Sequence, residues 1–123
     1  MNQCEREEYA RFVNRACNQY GLNFEEIRSL QRDAKRLHRW AEAECNGEIQ
    51  RDEVTGKPFR YYGQDGPGPI RKYPTADRET PAIKRIEAIA KAHGLRVELQ
   101  GDPRGWPVSL HNGSEAYGLA VMI

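Results

Sequence analysis

The chain has 123 residues, 38% of them hydrophobic and 30% charged, and its 19 Lys+Arg against 18 Asp+Glu leave a formal net charge of +1. That length suits one domain, and the near-balance of charge excludes both a histone-like coat for nucleic acid and an acidic disordered tail. Fourteen of the basic residues are Arg and only five are Lys. Arg is the better residue for bidentate and stacked contacts, so the bias points to an interaction surface.

Helical periodicity begins near Glu5, where Tyr9, Phe12, Val13, Ala16, Cys17 and Tyr20 fall on one apolar face. Gly21 supplies the stop, because it adopts the left-handed conformation at low cost. A second helix follows at once: Asn23 is a good N-cap, and Glu26 three residues on completes a capping-box pattern. Ile27, Leu30, Ala34, Leu37 and Ala41 mark its apolar stripe, with His38 and Cys45 at the edge, and Asn46-Gly47 ends it. Residues 1–47 are therefore expected to form a helical hairpin.

Glu48–Arg51 and Pro58–Tyr62 flank Asp52-Glu53-Val54-Thr55-Gly56-Lys57, which predicts a small β-hairpin over 48–62. Residues 63–76 hold three Gly and three Pro and are expected to be a long loop. Over 77–123, Asp77 or Thr80 is the N-cap of a third helix with Pro81 in its first turn. Its apolar face is Ile83, Ile86, Ile89, Ala90 and His93, and Gly94 ends it. Leu95, Val97 and Leu99 alternate with polar residues as a half-buried strand does. Val108–His111 and Tyr117–Ile123 return the chain across the Gly101–Gly105 and Asn112-Gly113 turns. The expected architecture is one α+β domain over 1–123: an N-terminal helical hairpin, a small β-hairpin, then a helix packed on a three-stranded antiparallel sheet.

No apolar stretch approaches the ~20 residues needed to span a bilayer. The acidic, polar start Met1–Glu8 is the opposite of a signal peptide, so a cytoplasmic location and no membrane partner are expected. Cys4, Cys17 and Cys45 are odd in number and irregularly spaced, which is no disulfide framework. With His38 they have the residue types of a Cys₃His zinc site. The close C-x₂₋₄-C ligand pairs of such sites are missing, however, so no metal or other cofactor is expected.

The sharpest feature lies on the second helix. At 100° per residue, Arg28, Arg32, Lys35, Arg36 and Arg39 share an arc of about a third of the helix, with acids only at its ends, Glu25 and Glu42. Such an arc suits nucleic-acid phosphates or an acidic protein surface, and it is also what an ordinary solvated face looks like. Charge reversal at Arg32 and Arg36 is the natural probe of it. A second candidate contact is the turn Gly101-Asp102-Pro103-Arg104-Gly105-Trp106. Turn chemistry explains its Asp, Pro and Gly and leaves Arg104 and Trp106, residue types enriched at interface hot spots. Trp106 also suits a core plug at a sheet edge. The segment Tyr61–Tyr73 interleaves tyrosines, glycines and cations, as base-stacking surfaces do and as loops anchored by tyrosines do. No phosphate loop, nucleophile elbow or H-E-x-x-H motif occurs and no catalytic carboxylate pair stands out, so no enzyme activity is expected.

Leu37–Cys45, Arg51–Pro58, Asp77-Arg78-Glu79 and Gly101–Gly105 together resemble small bacteriophage or prophage proteins of unassigned function, over about residues 30–111. Those shared motifs are turns and helix faces, so the resemblance carries no site residues. It implies a phage accessory protein that binds and inhibits a host protein or nucleoprotein complex, as anti-CRISPR and other anti-defence inhibitors do. The second reading is a nucleic-acid-binding module using the basic helix and the tyrosine-bearing loop.

Overall fold

The computed structural model describes residues 2–62, 71–99, 108–113 and 118–122. They form three helices and two antiparallel sheets, an α+β architecture. Helix α1 spans Gln3–Asn18 and starts two residues before the periodicity suggests. Asn2 caps it in a reciprocal box with Glu5, its side chain accepting from the Glu5 backbone N–H at 2.8 Å. Helix α2 spans Phe24–Cys45 under the Asn23/Glu26 box expected from the sequence. Between them Gly21 sits at φ +72°, which lets the Leu22 N–H turn back to the Ala16 carbonyl at 3.0 Å.

Strands β1 (Gln50–Arg51) and β2 (Pro58–Tyr62) form the expected hairpin, with the Asp52 carboxylate accepting from the backbone N–H groups of Val54 and Thr55 inside its turn. The hairpin is not alone. Arg71–Pro74 pairs antiparallel with β2 as β3, Arg60 facing Tyr73 and Phe59 facing Pro74. The expected loop over 63–76 is thus partly strand. Arg-Lys-Tyr-Pro has no apolar alternation in sequence, and the strand is recognised by its antiparallel backbone pairing with β2. Residues 63–70 of that loop lie outside the described residues.

Helix α3 spans Glu79–Ala92. Asp77 performs the capping, its carboxylate accepting from the Glu79 and Thr80 backbone N–H groups and from the Thr80 hydroxyl. Those bonds, the Thr80 hydroxyl foremost, outweigh the opposing effect of burial and hold the Asp77 carboxyl below its ordinary pKa of 3.8. Strands β4 (Arg96–Leu99), β5 (Val108–His111) and β6 (Leu119–Ala120) follow in that spatial order. The last strand is shorter than Tyr117–Ile123, whose two ends lie outside the described residues. At its start, a Cβ on Gly118 would come within 2.5 Å of the Leu110 carbonyl, so β6 reaches β5 only because residue 118 has no side chain.

One core joins Phe12 and Ala16 of α1, Ile27, Leu30, Ala34 and Leu37 of α2, Ala82, Ile86 and Ala90 of α3, and Val108, Leu110 and Leu119 of the β4–β6 sheet. Helix α3 is the principal partner of α2. A second, smaller cluster of Trp40, Ala43 and Ile49 lies apart from it and joins the end of α2 to the residue that leads into β1. The apolar side of α2 therefore moves round the helix after Leu37, from the Leu30–Ala34 stripe to Trp40 and Ala43. No helix among the described residues is long and apolar enough to cross a membrane.

A candidate anion-binding surface

The helical spacing that buries Ile27, Leu30 and Ala34 sends the intervening cations outward. Arg28, Arg32, Lys35, Arg36 and Arg39 are all exposed. Glu42, the acid at one end of the arc, is engaged by the His38 imidazole at 3.1 Å. At the other end Glu25 shares a shallow depression with Arg28 and Arg32. Among the described residues, Arg28, Arg32, Lys35 and Arg39 join no ion pair.

Arg36 is different. Its guanidinium donates to the Asp33 carboxylate at 3.1 Å, and Asp33 is only 1% exposed. The same carboxylate accepts from Arg85 of α3, through Nε at 3.1 Å and Nη2 at 2.9 Å. This fork holds the Arg85 guanidinium above its ordinary pKa range and ties α3 to α2. A buried carboxylate needs such partners, since a lone one would lose its hydration without compensation. Arg36 is thus first a structural residue, and reversing its charge would set two carboxylates side by side. Sequence spacing held the clue: Leu30, Asp33, Ala34 and Leu37 follow the i, i+3, i+4, i+7 pattern, so an acid stands on the buried side of α2.

Beyond Arg36 the basic arc runs into an open groove of about 630 Å³ between the end of α2 and the β1–β3 sheet. Arg36 and Arg39 of α2, Arg60 of β2 and Arg78 before α3 line it, with no acidic residue among the described residues of its walls. Trp40, Ala43 and Ile49 give it an apolar floor. Arg51 fixes the geometry from outside the groove. Its guanidinium lies 5.7 Å from the centre of the Trp40 ring, meets Glu44 at 3.4 Å and Glu79 at 2.6 Å, and donates to the Gly56 carbonyl at 3.1 Å. One side chain thereby links the hairpin turn to α2 and α3. Arg51, Arg60 and Arg78 escaped the sequence reading because they meet the site from three different segments. Only the tertiary fold brings them together.

Arg104, Trp106 and the Gly63–Ile70 part of the tyrosine-bearing segment lie outside the described residues. Cys4 and Cys45 are exposed and Cys17 is half-buried, and among the described residues no three His, Cys, Asp or Glu side chains gather as a metal site. A scan against protein-family models and searches of curated proteins and of solved structures find no match to this chain.

Proposed function

We propose that this protein is a non-enzymatic interaction module that presents the basic face of α2 to an anionic partner, in the manner of a phage-type inhibitor of a host nucleoprotein complex. The observation that carries this reading is the set of exposed cations Arg28, Arg32, Lys35 and Arg39 on one helix face, which join no ion pair among the described residues. Like charges this close repel one another, and a partner's anions relieve that repulsion. The resemblance to small phage proteins is what suggests a host target. An anti-defence role follows that suggestion.

The test is capture from a bacterial lysate by the tagged protein and by Arg28→Glu with Arg32→Glu, which leaves the Asp33 cluster untouched. The native protein should retain a defined host complex that the variant loses, with unchanged thermal unfolding. Equal capture by both proteins removes the α2 face from the reading.

A further inference from the structure

We propose that the groove between α2 and the β1–β3 sheet seats one or two nucleotides of a single-stranded nucleic acid, backbone phosphates on Arg39, Arg60 and Arg78 and a base over the apolar floor. This rests on the reading that the α2 cations meet an anionic partner, and it names that partner's chemistry. Three observations carry it.

The charge is uncompensated. Among the described residues Arg39, Arg60 and Arg78 join no ion pair, while Arg51 and Arg85 nearby are held by carboxylates. Arginine suits phosphate because its planar fork donates two parallel bonds. The floor is apolar: Trp40, Ala43 and Ile49 lie beneath the cations, so the groove matches a molecule carrying a flat ring beside an anionic group. A nucleotide has that form, and an acidic side chain does not. The shape is concave, and about 630 Å³ falls within the ~300–1,000 Å³ of small-ligand pockets. A duplex keeps its bases stacked inside and would leave the floor unused, whereas single strands are bound by cationic grooves with apolar or aromatic platforms.

The experiment measures binding of fluorescent ten-nucleotide oligo-dT, oligo-U and a duplex of equal length to the full chain, at ~50 and ~200 mM salt, a range over which phosphate contacts weaken steeply. Arg60→Ala with Arg78→Ala removes groove cations that join no ion pair among the described residues, and Arg28→Glu with Arg32→Glu alters the face outside the groove. At least one single strand should bind more tightly than the duplex, and comparison of oligo-dT with oligo-U separates DNA from RNA as the source. The groove variant should lose at least about tenfold in affinity and about two from the salt slope, one per phosphate contact, with its thermal unfolding unchanged. Failure of both single strands to bind at ~50 mM salt, where phosphate contacts are strongest, overturns the proposal. So does duplex binding as tight as single-strand binding, or displacement of the strand by equimolar deca-glutamate. An unchanged groove variant also overturns it; if the Arg28/Arg32 variant then loses the strand or the host complex, the α2-face reading stands without the groove.

Discussion

Asp33 decides which arginines of this protein are free. Its carboxylate is buried and accepts from two guanidiniums on different helices, so Arg36 and Arg85 act as structural counter-ions although both side chains are about half exposed. The same sorting applies to Arg51, which is occupied by Glu44, Glu79 and the Gly56 carbonyl. Asp33→Ala removes every bond of that cluster and leaves a space among packed side chains. It should cost on the order of 2–3 kcal/mol, since hydrogen bonds to charged groups contribute more than neutral ones. Chemical denaturation checks this, and a loss below that of an average surface substitution would mean that the cluster is not structural. The excess of Arg over Lys thus has two uses here: forks on buried or shared carboxylates, and free forks around a groove.

At the scale of elements, two long-range polar contacts join α2 to α3 at different points along α2. Arg85 reaches Asp33 in its middle, and His93, at the C-cap of α3, meets Glu26 in the first turn of α2 at 2.7 Å. Burial raises the Glu26 carboxyl, but the bonds to the His93 imidazole and the Asn23 backbone together outweigh it and hold its pKa below the ordinary 4.5. A carboxylate depressed in the folded state stabilises the fold above its ordinary pKa, and that stabilisation is lost as the pH falls through the folded value. Thermal unfolding followed from pH 7 down to 3 should therefore show an acid-side decline that is shallower in Glu26→Gln, which has no carboxylate to protonate. Identical slopes would mean that this helix-end contact contributes nothing to acid stability.

At the scale of the whole molecule, two apolar clusters form among the described residues, and the candidate site lies over the smaller one. Trp40, Ala43 and Ile49 join the end of α2 to the start of β1 and line the groove, so the attachment of the β1–β3 sheet and the groove's shape draw on the same side chains. Trp40→Ala should strip hydrogen-exchange protection from the β1–β3 amides while α3 and β5 keep theirs, because the latter belong to the larger core. Uniform loss of protection across both sheets would show that the two clusters unfold as one unit.

Much of the fold was legible in the sequence because it is written in local periods. The 3.6-residue spacing of Phe12, Ala16, Ile27, Leu30 and Ile86, the Asn23/Glu26 box and the alternation of β4 each depend on residues within a few positions of one another. The outward cations of α2 followed from the same spacing. Strand β3 did not, because its partners are the backbone groups of β2 and it has no apolar pattern of its own. Nor did the identity of the free arginines. By itself the sequence determined the α+β class, the helix ends and a basic helix face. Tertiary structure alone decided that Arg36 is bound to Asp33, and that Arg39 meets Arg60 and Arg78 over an apolar floor. The physical reason is distance along the chain: an ion pair spanning 52 residues, or a groove drawn from three elements, leaves no periodic trace in the order of the amino acids.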